Sequence, residues 1–340
     1  MGLRLKTRRG YADQVTSHRV LFVYPTDSSF VRTDLVLLSS FADVRPFPFR
    51  GKSSYPSLLA NVARSDLVVS WFALGFAAVA NLAGGALRRP SIVIAGGWDI
   101  AAMPEISYGL LQNEWAALRA RLALSTADLV LAFSEWSGRA IRALAPKARV
   151  RTAYLGVDTA KFRPGRKEDL VVTVAIVNRE NLRRKGLIDF AIASRKVPEV
   201  PFVLIGQHVD DAAQELLRIG GENLKLTGWL PDVELQELLS RGKVYVQPSY
   251  TEGFGVAVAE AMASGCVPVV TNAGALPEVV GDAGLYVPYG NPDAMADAIR
   301  QALQREGSAD ARRRVEERFA ITHRLERLRA AVSEVSGGAV

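Results

Sequence analysis

The sequence has little of what metal sites and disulfide-bonded folds require. It contains a single cysteine, Cys266, so an intramolecular disulfide and a cysteine-rich metal site are both excluded. Its three histidines, His18, His208 and His323, are scattered and do not match the spacing of a metal site. The sequence also lacks any Asp-x-Asp pair, which argues against a divalent-metal site. We therefore expect no metal cofactor, and we interpret Cys266 as a small core residue.

The first 18 residues form a basic arm with few apolar side chains. This arm contains no hydrophobic segment of the kind that a secretory signal peptide carries, so secretion is not expected. We predict a cytoplasmic protein. The arm is either a disordered tail or a segment that touches acidic lipid, and the sequence leaves both alternatives open.

One stretch is free of charge for long enough to suggest a membrane span. Residues 67–87 contain no charged side chain, and 21 residues match the length of a transmembrane helix. Polar and glycine residues interrupt the run, however. It also fits a buried strand at 67–70 followed by a helix near 76–82, and we favour this interpretation over the span.

Length and charge divide the chain into two halves. A chain of 340 residues is long enough for two domains, each with its own core. Residues 1–155 carry 19 Lys and Arg against 10 Asp and Glu, whereas the remainder carries 23 against 25. The basic half predicts contact with something anionic, such as a membrane surface, a lipid phosphate or an acidic glycan. A solvated basic surface without a ligand is the alternative, and we expect no nucleic-acid partner.

The most informative segment lies at residues 247–284. An apolar strand ends there and is followed by a loop with two glycines, a helix of small residues and a second strand at 267–271. This order predicts a βαβ unit of a parallel sheet. Ligands bind at the carboxyl ends of such strands. The loop and the start of the helix are therefore a candidate ligand site.

Two glutamates stand in this segment, eight residues apart. Glu252 lies on the loop and Glu260 lies about one turn into the helix, where both could accept hydrogen bonds from hydroxyl groups. Gly253 and Gly255 would let a ligand approach the backbone closely, and the helix start would attract phosphate. Taken alone, the two glutamates could equally be a helix cap and a solvated helix residue.

The segment EGFGVAVAEAMASGCVPVV, with GALPEVV at 274–280, resembles the E-x7-E signature of retaining GT-B glycosyltransferases of family 4, the glycosyl transferases group 1. The resemblance extends over about residues 125–302. It implies an α/β fold with two Rossmann-like α/β/α domains whose parallel sheets face each other across a cleft. It also implies transfer of a sugar from a UDP-, GDP- or ADP-sugar to a glycan, lipid or small-molecule acceptor. Retention of the anomeric configuration and independence of metal are part of the same expectation.

The resemblance also implies a division of the chain. After the basic arm, residues 19–156 would form an N-terminal acceptor-binding domain and residues 157–305 a C-terminal domain that binds the nucleoside diphosphate (NDP) sugar. Residues 306–340 would form a helical tail that packs back toward the first domain.

Several residues of the second domain match positions that bind the donor in the family. Glu252 and the backbone of residues 253–255 would hold the sugar hydroxyls, and Glu260 would hold the ribose. Phe254 and Val256 belong to the same donor-binding stretch, and Leu230 lies where the family backbone contacts the nucleotide base.

The segment NRENLRRKG at 178–186 supplies cations. In the family an arginine and a lysine here grip the donor diphosphate, and Arg179 and Lys185 match that spacing, although Asn178 replaces the usual glycine. Two cations at a strand end can neutralise a leaving diphosphate without a metal. Solvation of a basic loop is the alternative.

In the first domain, Asp99 follows a predicted strand at 91–95. Many family members have a histidine near this position, and this chain has none. Asp99 is therefore a candidate for contact with the acceptor or the transferred sugar, and a turn or cap residue is the alternative. Residues 104–109 could line the acceptor side. An amphipathic helix near 110–124, with Trp115, could dock on a membrane or simply pack on the surface.

We accordingly name Glu252, Arg179, Lys185 and Asp99 as catalytic candidates. Two other functions stay open. A GT-B phosphorylase or nucleotide-sugar epimerase would need a different set of phosphate or acid–base groups in the cleft. A sugar-nucleotide-binding protein without transferase activity is suggested by the missing histidine.

Overall fold

The computed structural model describes residues 18–305 and 308–337. Most of the predicted basic arm, residues 1–17, lies outside this part of the chain. The described residues form two six-stranded sheets in which every strand pair is parallel, and helices cover both sheets. The predicted α/β fold with two parallel sheets is therefore confirmed.

The first sheet is built from short apolar segments that alternate with helices. Its strands are β1 (Arg19–Tyr24), β2 (Asp43–Pro48), β3 (Leu67–Trp71), β4 (Ser91–Ala95), β5 (Leu129–Ala132) and β6 (Val150–Thr152). The helices between them are α1 (Ser29–Ser39), α2 (Tyr55–Ala63), α3 (Gly75–Ala86), α4 (Glu114–Thr126) and α5 (Glu135–Leu144). The strand order is β2-β1-β3-β4-β5-β6, so the direction of winding reverses between β1 and β3. Because helices cover both faces, β3, β4 and β5 are buried along their whole length.

The second sheet has the strand order of a dinucleotide-binding fold. Its strands are β7 (Glu168–Val174), β8 (Phe202–Ile205), β9 (Leu224–Leu226), β10 (Gly242–Gln247), β11 (Val267–Thr271) and β12 (Leu285–Val287). Its helices are α6 (Arg179–Arg184), α7 (Leu187–Lys196), α8 (Ala212–Ile219), α9 (Asp232–Arg241), α10 (Val256–Ala263), α11 (Leu276–Val280) and α12 (Pro292–Leu303). The order β12-β11-β10-β7-β8-β9 reverses between β7 and β10. Ligands bind at such a switch point, beyond the carboxyl ends of the strands.

The uncharged run at residues 67–87 forms two buried elements in series. It folds as β3, a turn and α3, so its hydropathy reflects burial inside the first domain. In the two described stretches of the chain, no helix has the length and apolar character that crossing a membrane requires.

Two helices, α13 (Ala309–Arg318) and α14 (Ile321–Ser336), follow the second sheet. Helix α13 packs against α10, and α14 packs against α1 and β4 of the first sheet. Arg324 on α14 is fully buried and donates to both carboxylate oxygens of Asp34 on α1, at 2.9 and 2.5 Å. A buried ion pair thus joins the end of the chain to the first sheet. The domain boundaries at 156 and 305 stay sequence predictions.

One apolar core runs through both halves of the molecule. It includes residues of both sheets together with α13 and α14. At its centre Phe319 makes edge contacts with Tyr154 and Phe254, with ring centroids 5.2 and 5.4 Å apart. The loop that carries the predicted site in the second domain is therefore anchored to the core.

Candidate functional site

The candidate site lies at the switch point of the second sheet. The loop after β10 reaches it, and so does the segment that follows β7, because the two strands are neighbours. Residues 178–186, which the sequence indicates as a basic loop, contain the short helix α6. Asn178 caps α6 by accepting the Asn181 N–H at 2.8 Å, and Leu182 is buried beneath it.

Glu252 is the centre of the site. Its side chain is 10% exposed, and one carboxylate oxygen accepts hydrogen bonds from Lys185 Nζ at 2.5 Å, Ser249 Oγ at 2.7 Å and Gln247 Nε2 at 3.0 Å. Burial acts to raise the pKa of Glu252, but the charges of Lys185 and Arg184 outweigh it and hold this pKa below its ordinary value. The carboxylate is therefore ionised and fixed in orientation.

A chain of buried hydrogen bonds supports this carboxylate from the sheet. The Tyr245 hydroxyl donates to Gln247 Oε1 at 2.9 Å, and Gln247 in turn donates to Ser249 and Glu252. Sequence reasoning missed Gln247 and Ser249. The signal that could have found them is a polar pair that ends an otherwise apolar strand beside a candidate acid.

A glycine lets Lys185 come close to the loop after β10. Gly186 has a φ of +63°, and a Cβ at this position would lie 2.1 Å from the carbonyl oxygen of Pro248. Only glycine combines that backbone conformation with that approach. The chain can thus turn directly after Lys185 and bring its amine onto Glu252.

The structure does not bring Arg179 to this pair. The Arg179 side chain is half exposed and donates to Asp211 at 2.8 and 2.5 Å and to Glu215 at 2.5 Å. These carboxylates lie after β8 and at the start of α8, and they draw the guanidinium away from Glu252. The predicted convergence of Arg179 and Lys185 is therefore not observed, and the role of Arg179 stays a prediction.

Arg184 is the second cation near Glu252. Its side chain is only 16% exposed, and its guanidinium lies over the ring of Tyr108 at 4.8 Å from the centroid. Tyr108 belongs to the segment 104–109 of the first domain. Burial raises the pKa of this phenol to about 12, the charge of Arg184 opposes the shift, and the charges of Glu252 and Asp99 add to it. Tyr108 thus reaches across the cleft to the cations.

Asp99 is fully enclosed. It accepts backbone N–H groups of Ala73 at 2.9 Å, Gly97 at 3.0 Å and Gly96 at 3.3 Å, and burial raises its pKa. The Asp99 side chain is fully buried and offers no exposed surface in this structure, so the predicted contact with an acceptor or sugar stays a prediction. Asp99 ties together the loops after β3 and β4.

The two domains touch beside the site. The Gly253 carbonyl accepts hydrogen bonds from Ser134 Oγ at 2.8 Å and Ser137 Oγ at 3.2 Å. A Cβ on Gly253 would lie 2.3 Å from the carbonyl oxygen of Gly96, so any larger residue would force the domains apart. Glu278 adds a second contact, since its carboxylate accepts two backbone N–H groups at the start of α5, at 2.8 and 2.6 Å.

Glu260 is not among the groups that hydrogen-bond to Glu252. It lines a small pocket between the domains, together with Asp34 and Thr33 of α1. Burial raises the pKa of Glu260 to about 8; the charge of Asp232 adds to this shift and that of Lys161 opposes it. Glu260 is thus a carboxyl group that is largely protonated at neutral pH and can donate a hydrogen bond.

The remaining predicted donor-binding residues differ in exposure. Phe254 is 2% exposed and packs in the core, so only its backbone faces the loop. Gly255 begins α10 with a φ of +96°, and Val256 lines the same small pocket as Glu260. Leu230 is half-buried against the core. In the described part of the chain, no group of three or more His, Cys, Asp and Glu side chains is arranged to hold a metal ion.

Comparison with solved structures identifies the fold. A sucrose-phosphate synthase from Thermosynechococcus elongatus superposes with a TM-score of 0.76 at 17% identity, over 94% of this chain and 99% of that one. HepE from Anabaena, in complex with UDP and glucose, gives a TM-score of 0.75 at 18% identity, over 93% of this chain and 100% of that one. The protein has the GT-B fold. The predicted GT-B architecture is therefore confirmed.

Similarity in sequence covers less of the chain than similarity in structure does. Residues 170–305, which include Glu252 and Lys185, match the family model of glycosyl transferases group 1. The O-antigen chain mannosyltransferase B of Escherichia coli is 38% identical over 108 residues, 31% of this chain and 28% of that protein. The alpha-maltose-1-phosphate synthase of Mycolicibacterium smegmatis is 32% identical over 209 residues, 54% of each protein. The chain therefore spans less than two thirds of the length of these relatives.

A third relative aligns over more of the chain. The GDP-mannose:cellobiosyl-diphosphopolyprenol alpha-mannosyltransferase of Xanthomonas oryzae pv. oryzae is 25% identical over 296 residues, which are 79% of this chain and 74% of that protein. An alignment of this length must include part of the first domain, most of which lies outside the family resemblance at residues 125–302.

Proposed function

We propose that this protein is a glycosyltransferase that moves a sugar from a nucleoside diphosphate sugar to an acceptor. The observation that carries the proposal is the ionised Glu252, held by Lys185, Ser249 and Gln247 at the switch point of the second sheet. A fixed carboxylate beside a cation suits sugar hydroxyls next to a diphosphate. The match of residues 170–305 to the glycosyl transferases group 1 supports the same activity.

The residues of the candidate site would bind different parts of the donor. Lys185 and Arg184 would stabilise the negative charge that develops on the leaving diphosphate, and would thus bind the transition state more strongly than the substrate. Glu252 and the backbone of residues 253–255 would hold the sugar hydroxyls, and Glu260 would hold the ribose hydroxyls. Arg179 would join them only after it leaves Asp211 and Glu215.

The finer features of the reaction are part of the proposal. The donor is a UDP-, GDP- or ADP-sugar, the acceptor is a glycan, a lipid or a small molecule, and no metal takes part. The acceptor oxygen bonds to the anomeric carbon, the bond from that carbon to the diphosphate breaks, and the acceptor proton leaves with the nucleoside diphosphate. The family resemblance supports retention of configuration. We assign no enzyme nucleophile.

We further propose that the protein works in the cytoplasm, with peripheral contact to an anionic membrane at its inner face. Residues 1–155 carry the whole excess of positive charge, and such a surplus attracts acidic lipid headgroups. The relative from Xanthomonas oryzae pv. oryzae, which is named for a diphosphopolyprenol substrate, supports contact with a membrane.

A donor panel tests the activity. UDP-, GDP- and ADP-sugars are incubated with lipid, glycan and small-molecule acceptors, and free nucleoside diphosphate and glycosylated product are quantified by mass spectrometry. We expect one donor to give product, with its anomeric configuration kept in the NMR spectrum of the product. Lys185→Ala should lower kcat/KM by about 10²-fold, as the loss of one preorganised charge does. Lys196→Ala, which removes a partly exposed lysine paired with Asp293, is the matched control.

The same panel separates the other candidate functions. Donor binding without release of nucleoside diphosphate under any condition would leave a sugar-nucleotide-binding protein and refute the transferase. Conversion of the donor to its epimer, or phosphorolysis of a glycan, would point to the other two activities.

A further inference from the structure

A second pocket lies on the cleft-facing edge of the first domain. It has a volume of about 500 Å³ and is lined by Pro25, Phe49, Lys52, Tyr55, Leu74 and Arg119, among others. Pro25 follows β1, Phe49 follows β2 and Leu74 follows β3, so the pocket occupies the switch point of the first sheet. That is the position at which an open α/β sheet binds its ligand.

The inner wall of this pocket is aromatic. Phe49 stacks on Phe76 with ring centroids 4.8 Å apart and meets Tyr55 edge-on at 5.1 Å. Leu74 and Pro25 complete an apolar surface that is open to solvent. Such a wall suits a hydrocarbon chain, because burial of apolar area drives its binding.

The rim carries two cations. Lys52 and Arg119 are exposed, and no carboxylate among residues 18–305 and 308–337 pairs with either of them. The Arg119 side chain lies against Gly75 at the start of α3, where a Cβ would be 3.2 Å from its Cδ. Two unpaired cations beside a helix start attract a phosphate group.

The pocket is close to the donor site. Strand β4 neighbours β3, and the loop after β4 touches Gly253 beside Glu252. Because neighbouring strands are about 5 Å apart, the pocket lies roughly one or two strand spacings from that contact. A phosphate-linked acceptor held in the pocket could therefore reach the proposed donor.

Helix α4 places an apolar surface beside the rim. Trp115, Leu118 and Leu122 recur at the spacing of one helix face and are 69%, 55% and 43% exposed. Arg119 stands on the same helix. A tryptophan with leucines and basic residues is typical of a helix that lies in a membrane interface.

We propose that this pocket binds a lipid phosphate drawn from the membrane, with the hydrocarbon chain against Phe49 and Tyr55 and the phosphate between Lys52 and Arg119. The proposal rests on the proposed function, because it identifies the acceptor as phosphate-linked lipid. Sugar transfer to this lipid forms a bond between the acceptor oxygen and the anomeric carbon and breaks the bond between that carbon and the diphosphate. The proton of the acceptor leaves with the nucleoside diphosphate.

Binding of three small probes tests the pocket without any donor. Farnesyl phosphate, farnesol and inorganic phosphate are titrated into the full-length protein by calorimetry. We expect farnesyl phosphate to bind at least tenfold more tightly than either other probe, because it engages both wall and rim. The double variant Lys52→Ala, Arg119→Ala should bind farnesyl phosphate at least tenfold more weakly than the wild type. Arg121→Ala, which removes an exposed arginine of the same helix outside the pocket lining, should leave this affinity unchanged.

Two results would overturn the proposal. One is equal affinity for farnesyl phosphate and farnesol, and the other is unchanged affinity in the Lys52 and Arg119 variant. Binding of nucleoside diphosphate sugars is measured on the same protein samples, so that failure of the pocket assignment can be told apart from failure of the proposed function. If farnesyl phosphate binds and no nucleoside diphosphate sugar does, the glycosyltransferase assignment fails; if a donor binds and farnesyl phosphate does not, the pocket assignment fails.

Discussion

Replacing Lys185 by methionine should destabilise the fold in a way that depends on pH. The change keeps much of the side-chain volume and removes the amine that lies 2.5 Å from Glu252. Breaking a buried ion pair by removing one partner costs about 3–5 kcal/mol. Ser249 and Gln247 still donate to Glu252, and both charged side chains retain some exposure. We therefore expect a loss of about 2–3 kcal/mol in the free energy of unfolding at pH 7.

The pH dependence follows from the pKa of Glu252. In the wild type this pKa is lowered, so the carboxylate stabilises the fold above its unfolded pKa of about 4.3, and that stability is lost as the pH falls through the folded value. Without Lys185 we expect burial to raise the pKa of Glu252 relative to the wild type, with only Arg184 and the hydrogen bonds still opposing it, so protonation relieves the unpaired charge on acidification. The deficit of the variant relative to the wild type should shrink from pH 7 to pH 5.

Urea denaturation at both pH values measures this deficit. Lys196→Met, which removes a partly exposed lysine paired with Asp293, is the matched control and should change the free energy of unfolding by less than about 0.5 kcal/mol. Adding Glu252→Gln to Lys185→Met should restore much of the stability without restoring transfer. A deficit no larger than that of the control, or one that grows in acid, would refute the reasoning.

Three further outcomes are expected. Glu260→Gln should be more stable than the wild type at pH 8, and this advantage should shrink as the pH falls toward about 4. A carboxyl group whose pKa is raised to about 8 loses stability as the pH rises from its unfolded value of about 4.3; a stability difference that stays constant across this range would contradict the prediction. Arg184→Ala should lower kcat/KM by about 10²-fold, because the charge of Arg184 acts on Glu252. Arg179→Ala should lower it by a smaller factor, because Arg179 must first leave Asp211 and Glu215; the reverse order in steady-state assays would assign the larger role to Arg179. Trp115→Ser should reduce flotation of the protein with phosphatidylglycerol vesicles. Val233→Ser, which changes a similarly exposed residue of the second domain, should not reduce it. Equal flotation of both variants would argue against membrane docking through α4.

The sequence predicts those parts of the fold that depend on local patterns. Strand β11 has the predicted bounds, and the predicted helix of small residues before it forms as α10. Apolar runs with a glycine stop define these elements without help from distant residues. The same holds for β3 and α3, where burial and not membrane insertion explains the lack of charge.

Site residues are predicted less well where their partners come from elsewhere in the chain. Arg179 has the expected spacing to Lys185, yet Asp211 and Glu215 lie more than thirty residues later and are brought to it only by the pairing of β7 with β8. Asp99 likewise accepts a hydrogen bond from the backbone of Ala73, in the loop after β3, 26 residues earlier in the chain. Local spacing carries no information on such contacts, so a charged side chain can be assigned to a ligand when the protein itself is its partner.

A structure of the protein with its nucleoside diphosphate sugar is the most direct test of the central claim, which is that Lys185 and Glu252 form the donor site. We predict a diphosphate oxygen within about 3 Å of Lys185 Nζ and a sugar hydroxyl that donates to the Glu252 carboxylate. A donor bound at another edge of the second sheet, with Lys185 and Glu252 touching only each other, would contradict the assignment.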